Sequence, residues 1–350
     1  MWVKKVRVDG LQFCRRGLNR HRNSYTQFVD EKTNQPPFRN LKTMYLYRAY
    51  GLNIHSELAL PELVPSTTTE IDVSIRFGRV DRSKMKLNRL GTYLNVTPQE
   101  VSFFWEGVGG MLVRDGKEAI VDPLPGVEER LLRLPILGIV LSVILHHRGF
   151  LVLHASAVEI NGGAAVFLGG RGWGKSTLAA KLYGRGHRPI SDDLVAVDLQ
   201  SGEMPAVIPG FPQLKLLPDA AAMALGDDPD SLPRLAYGYE KRSRRVVDRF
   251  SPKPLPLSGI YQLALGPVPA LKPLGVKDAT IQLVGNSYIA RGTHQLLKDC
   301  GGARHFQQCA TTIAKVPIYR LERPQSLDLV GTIADLVEVN LHRNLCMATA

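Results

Sequence analysis

The stretch that decides the fold is Ala165-Val166-Phe167-Leu168-Gly169-Gly170-Arg171-Gly172-Trp173-Gly174-Lys175-Ser176-Thr177-Leu178-Ala179-Ala180-Lys181-Leu182. A short apolar run enters a glycine-rich loop, and a helix-forming run leaves it. The centre, residues 169–176, satisfies G-x-x-x-x-G-K-[ST] in the strand-to-helix context that the motif requires. Each residue type has a physical reason. Glycines let successive backbone N–H groups converge on an anion with no Cβ in the way. The helix that follows points its positive end at the same place. A lysine at position 175 reaches the outer phosphates of a nucleotide, and a serine hydroxyl at 176 is a ligand for Mg²⁺. Gly169, Gly170, Arg171, Gly172, Trp173, Gly174, Lys175, Ser176 and Thr177 are therefore the candidate nucleotide-binding residues. The plainer alternative is an ordinary glycine-rich turn between strand and helix.

Downstream of that helix comes Arg188-Pro189-Ile190-Ser191-Asp192-Asp193. Adjacent carboxylates after a phosphate loop can divide two tasks of phosphoryl transfer. One takes the proton of an attacking hydroxyl and the other holds Mg²⁺. A solvated turn is the alternative. Upstream, His154 lies within an apolar run, 151–160, that reads as one strand beside the loop strand. Such a histidine is either a packed core residue or one that reaches the phosphates. A third feature is the basic stretch 240–253, with six cations against two carboxylates. Lys241, Arg242 and Arg249 are its candidate clamp on transferred phosphate or on an acidic substrate, the alternative being a solvated loop.

The rest of the 350 residues organises around this unit. Length alone favours two domains. Residues 44–126 read as short strands between turns, at 45–50, 71–77, 93–96, 100–105, 110–114 and 118–121. The alternation Ile71-Asp72-Val73-Ser74-Ile75-Arg76-Phe77 marks a half-buried strand, and Asp115-Gly116 marks a hairpin. Residues 127–149 read as a linking helix, opened by Glu128 and Glu129, closed by Gly149 and kinked at Pro135. Being apolar all round, it should be buried between the two domains. Residues 150–342 carry an α/β rhythm, with strands at 194–199, 213–217, 259–265 and 318–322, two helices within 278–315 and a last helix at 327–341. Residues 343–350 read as a tail. Residues 1–43 carry ten cations against three carboxylates and little periodicity, which predicts a disordered basic head; Met44 is an alternative start.

Composition excludes several classes. Four cysteines without a C-x-x-C pair exclude a disulfide scaffold and a zinc ribbon, and a cytoplasmic setting with free thiols is expected. The most apolar run, 134–145, falls short of the ~20 residues of a membrane span, and the N-terminus develops no apolar signal region, so no membrane partner is expected. The formal charge of +12 comes from the head and the 240–253 stretch, +7 and +4 respectively, leaving the remainder near neutral. That pattern favours a phosphorylated ligand over a polyanion, and the sparse aromatic residues of the head argue against a nucleic-acid arm.

Taken together, three runs resemble the catalytic domain of the HPr kinase/phosphorylase family. They are His154-Ala155-Ser156-Ala157-Val158-Glu159-Ile160, the loop 169–176, and Gly184-Arg185-Gly186-His187-Arg188-Pro189-Ile190-Ser191-Asp192-Asp193. Asn286-Ser287-Tyr288, His305-Phe306-Gln307-Gln308-Cys309, Val316-Pro317-Ile318-Tyr319-Arg320, Tyr47-Arg48-Ala49-Tyr50-Gly51, Trp105-Glu106-Gly107 and Arg114-Asp115-Gly116 look closer to its divergent members encoded with ribosomal-peptide clusters, including lasso-peptide precursor kinases. The resemblance covers about 45–341. It implies an α/β phosphate-loop kinase domain of the type shared with phosphoenolpyruvate carboxykinase, preceded by a small β-rich domain. It implies ATP and Mg²⁺ as cofactors and a protein or peptide acceptor serine. By the same resemblance Lys175 and Ser176 hold phosphate and metal, Asp192 is the general base, Asp193 supports metal or substrate, and His154 sits near the phosphates. Arg171 stands where the family has serine, and the E-[IV]-R-G-x-G signature is absent, with Val207-Ile208-Pro209-Gly210-Phe211 nearest to it. Phosphorylase activity, HPr as substrate and the hexamer are therefore not carried over, and homo-oligomerisation stays open. Two rivals remain, a phosphate-loop NTPase or nucleotide-binding regulator without transfer and a small-molecule kinase, with a nucleic-acid protein that uses the head as its arm as a weaker third.

Overall fold

Three two-residue turns with positive φ at both positions set the strand pairing: Tyr50-Gly51, Asp115-Gly116 and Asn161-Gly162. Their handedness matches the twist of the strands that they join. Asp115-Gly116 is legible as a hairpin in the sequence; Tyr50-Gly51 is not, because tyrosine seldom takes that backbone.

The computed structural model describes residues 43–88, 91–292 and 301–348, and the strand pair β1 (Val6–Val8) and β2 (Leu11–Phe13). The expected disordered head otherwise lies outside the described residues. The fold is mixed α/β with two large sheets. The first comprises β3 (Tyr45–Ala49), β4 (Leu52–Ser56), β5 (Val64–Pro65), β6 (Val73–Phe77), β7 (Lys86–Leu87), β8 (Tyr93–Val96), β9 (Glu100–Trp105), β10 (Gly109–Arg114) and β11 (Glu118–Pro123), in the order β5-β3-β4-β6-β11-β10-β9-β8-β7. A helical run follows: α1 (Glu129–Pro135), a π-helical turn Ile136–Val140, and α2 (Leu141–His147). The irregularity sits where Pro135 removes an N–H from the helical ladder.

The second sheet and its helices are β12 (Leu151–Leu153), β13 (Ser156–Ile160), β14 (Gly163–Leu168), α3 (Lys175–Gly184), β15 (Arg188–Asp192), β16 (Val195–Asp198), β17 (Ala206–Ile208), α4 (Pro218–Leu225), β20 (Leu255–Leu265), β21 (Ala270–Pro273), α5 (Val276–Asn286), α6 (Tyr288–Gly292), α7 (Gly302–Lys315), β22 (Ile318–Arg323) and α8 (Val330–Ala348). Its order is β12-β16-β17-β20-β14-β13-β15, with β22 beside β20 and β21 beside β22. A separate ribbon pairs β18 (Gln213–Leu216) with β19 (Arg242–Arg245).

Strand β14 is apolar throughout because both its faces are covered. Phe167 packs with Leu178, Leu182 and Val337 on the α3 and α8 side, whereas Val166 and Leu168 pack with Ala279, Leu283 and Cys309 on the α5 and α7 side. The linking helix is buried between the sheets as its composition predicts. Ile136, Leu141 and Ile144 share one core with Val73, Trp105 and Met111 of the first sheet, Val152 and Ala196 of the second, and Leu194 in the turn between β15 and β16. The stretch Glu129–His147 is long and apolar enough to cross a membrane, and most of it is occupied in this packing. Truncating Ile144 to Ala is expected to cost about 2–5 kcal/mol, read as a lower urea midpoint with unchanged slope.

Two expectations change. The run 151–160 is not one strand: β12 pairs with β16 and β13 with β14, at opposite ends of the sheet, and His154 lies in the crossover. The last helix runs on through the expected tail to Ala348, held where the Asn344 side chain accepts a hydrogen bond from Tyr319 Oη (3.0 Å) and donates one to the Ser258 carbonyl (3.1 Å).

Candidate active site

Strand β14 runs between β20, parallel to it, and β13, antiparallel, and delivers the chain into the glycine loop. Gly174 ends the loop in the left-handed region (φ +85°) and is the residue from which α3 starts; a Cβ there would lie 2.9 Å from the Arg323 guanidinium. No side chain caps the N-terminus of α3 and no acidic residue stands in its first turn, so its positive end is left for an anion. Lys175 is buried, and its ammonium donates to the carbonyls of Gly169 (2.9 Å) and Gly170 (3.2 Å). The Trp173 indole lies against Gly170, and Arg323 donates to the Trp173 carbonyl, tying the loop to the end of β22. Arg171 and Gly172 are exposed, and Thr177 is half-buried in the first turn of α3.

Asp192 closes β15 and is 3% exposed. Its Oδ1 accepts from the hydroxyls of Ser156 (2.6 Å) and Ser176 (2.9 Å), and its Oδ2 accepts from the Lys215 N–H (2.8 Å). Both oxygens are thus engaged from within the fold. Asp193 differs. A positive φ of 75° turns its side chain out of the strand alternation, and the side chain keeps a quarter of its surface exposed. Asp193 Oδ2 pairs with the Lys215 ammonium at 2.9 Å, and Oδ1 faces His154 Nδ1 at 3.3 Å. Burial pushes the Asp193 pKa up, but Lys215, His154 and Lys241 outweigh it and hold the carboxyl well below the usual range. The stabilisation from these pairs is present above the ordinary aspartate pKa of about 3.9 and is lost only as pH falls further, through the lowered native value.

The expected division of labour between the two carboxylates therefore meets a geometric obstacle. An acceptor hydroxyl reaching Asp192 would have to displace a serine hydroxyl or a backbone N–H; Asp193 also has a partner at each oxygen, Lys215 and His154, but its side chain keeps a quarter of its surface exposed. His154 stands beside Asp193 instead of lying mid-strand, with its ring edge-on to Tyr288 at 5.7 Å. Of the basic candidates, Lys241 alone acts on the site, as one of the cations that depress Asp193. The buried Arg242 donates to the carbonyls of Pro229 (2.8 Å) and Glu240 (2.7 Å). Arg249 lies over the Tyr183 ring at 4.2 Å and donates to the Tyr183 carbonyl. These two arginines are spent on local structure.

Four residues of the site escape sequence reasoning. Ser156 and Lys215 hold the carboxylates, Arg323 braces the loop, and Tyr50 of the first sheet donates to the Leu194 carbonyl (3.0 Å) just past Asp193. Lys215 leaves a signal: a lone cation in the apolar strand Gln213-Leu214-Lys215-Leu216 needs a buried counter-charge.

Comparison with known protein families gives no match, and comparison with curated proteins gives none. Among solved structures, the chain is similar to the Hpr(Ser) kinase/phosphatase from Coxiella burnetii, at 15% identity over 57% of this chain and 93% of that one, with a TM-score of 0.29.

Proposed function

We propose that the chain is an ATP-dependent phosphotransferase that phosphorylates a serine or threonine hydroxyl on a protein or peptide acceptor. The observation that carries this reading is the 2.9 Å bond from the Ser176 hydroxyl to the buried Asp192 carboxylate, at the start of a helix entered through a glycine loop. The residues fit ATP and Mg²⁺. The loop offers backbone N–H groups without Cβ atoms, Lys175 offers an ammonium, and Ser176 and Asp192 are the hard oxygen donors that Mg²⁺ takes. Bound there, the nucleotide and its metal supply the phosphoryl group and neutralise the charge that develops on it.

The chain's own residues do the rest. Lys175 exchanges its loop carbonyls for phosphate oxygens. Asp192 orients Ser176 and holds the metal directly or through water. Asp193, kept ionised by Lys215 and His154, orients the acceptor hydroxyl and takes its proton. In a loose transition state that proton moves late, so orientation matters more than basicity. Residues 150–342 form the catalytic part in this reading, and residues 44–149 act as scaffold and acceptor guide. The motif resemblance to HPr kinases supports a kinase reading and the roles of Lys175 and Ser176; the roles of Asp192 and Asp193 proposed here are the reverse of those the resemblance implies.

Mass spectrometry of serine-containing peptides after incubation with ATP and Mg²⁺ tests it. Phosphoserine that depends on Asp193 is the expected result. Conversion of ATP to ADP with every peptide unmodified would favour an NTPase or a small-molecule kinase instead.

A further inference from the structure

A cavity of about 210 Å³ opens at the junction of the first sheet, α1 and the β18–β19 ribbon. Register places Gln213 opposite Arg245 and Lys215 opposite Ser243, so all four share one face of the ribbon, which forms the cavity floor. The other face, with Leu214 and Leu216, is buried in the core. Arg130 and Arg133 of α1, Arg234 and Glu62 complete the charged lining.

Five cations thus face one carboxylate. Glu62 is taken by Arg133 at 2.9 Å, and Lys215 by Asp193. Arg130 lies 3.8 Å from Glu128, with both side chains about half exposed. Among the described residues Arg234 and Arg245 make no ion pair; Arg245 donates to the Glu62 carbonyl (2.6 Å), and its burial lowers its pKa. Guanidinium groups held this way match carboxylates in shape as well as charge.

One side chain touches both the cavity and the proposed catalytic carboxylate: Lys215 lines the cavity, and its ammonium pairs with Asp193. We propose that this cavity is the acceptor subsite and that it selects an acidic peptide segment, seating one or two Asp or Glu side chains beside the residue whose hydroxyl is presented to Asp193. The inference rests on the phosphotransferase reading above and adds the class of acceptor to it. Its size suits one or two side chains rather than a drug-sized ligand, for which several hundred Å³ is usual.

The test uses the full-length protein and three fluorescein-labelled peptides, each with one serine, flanked by glutamates, alanines or lysines. Binding is read by anisotropy, and ATP binding is read in the same samples with a fluorescent ATP analogue. The glutamate peptide is expected to bind about tenfold tighter than the alanine peptide, with the lysine peptide weakest and the preference shrinking as salt rises. In the double variant Arg130→Ala, Arg234→Ala, altered at two exposed side chains, the preference should fall to about twofold or less while ATP binding stays unchanged. Equal binding of the glutamate and lysine peptides, or a preference that survives in the double variant, would overturn the proposal. So would displacement of the glutamate peptide by an oligothymidylate of equal charge at equal concentration, which would mark a general polyanion site. Loss of ATP binding by the wild-type protein would instead overturn the phosphotransferase reading, so the two failures are separable.

Discussion

Asp193→Asn is expected to keep ATP binding within about twofold and to cut phosphoryl transfer by roughly 10²–10⁴-fold, the range for removing a general base. The variant is a clean one. Asparagine accepts the left-handed backbone that Asp193 adopts (φ +75°) about as readily as aspartate, so the turn after β15 should keep its shape. The amide also keeps an oxygen for the Lys215 ammonium, 2.9 Å away in the wild type. What disappears is the negative charge facing the acceptor hydroxyl. Asp192→Asn should behave differently. All three partners of Asp192 donate to it, so an amide nitrogen in its place would confront a donor. That variant is expected to lose the Mg²⁺ dependence of ATP binding along with activity. If Asp193→Asn retained full transfer to a validated peptide while Asp192→Asn kept binding and lost transfer, the two roles would be interchanged.

The second large effect is at the loop. Lys175→Ala is expected to weaken ATP binding at least 100-fold, measured with a fluorescent ATP analogue, because it removes the one ammonium seated inside the glycine loop. A charge-assisted hydrogen bond contributes ~1.5–3 kcal/mol and is here multiplied over phosphate oxygens. The same change also takes the donor away from the Gly169 and Gly170 carbonyls, so part of the loss arises from a loosened loop. Lys175→Arg separates the two contributions: it keeps the charge but is too bulky to sit where Lys175 folds back.

How far the sequence was legible follows from how local each feature is. The loop, β14 before it and α3 after it lie within one contiguous stretch, and glycine spacing fixes them. The hairpin at Asp115-Gly116 and the buried linking helix are equally local, one set by turn chemistry and the other by an apolar wrap with no polar face. What escaped depends on partners far along the chain. The break at His154 exists because β12 and β13 choose neighbours at opposite ends of the sheet, which an unbroken apolar run cannot reveal. Asp192 and Asp193 look equivalent in sequence, and a single positive φ sends one into the core and the other toward the surface. The basic stretch reads as uniform charge, yet the ribbon alternation turns Arg245 into the cavity while Arg244 pairs with Asp227 at 2.8 Å. Lys215 joins the two halves of the site and could be found only by asking why a cation sits in an apolar strand.

In the proposed site the glycine loop and the Ser176–Asp192 pair hold a nucleotide through its metal. Calorimetric titration of the wild-type protein and of Ser176→Ala with ATP, each with and without Mg²⁺, tests it most directly. The expected result is binding by the wild type that Mg²⁺ strengthens about tenfold or more, and a Ser176→Ala protein in which that metal dependence is largely gone. Absence of ATP binding, or binding indifferent to Mg²⁺ in the wild type, would rule out a metal-bridged nucleotide at this loop.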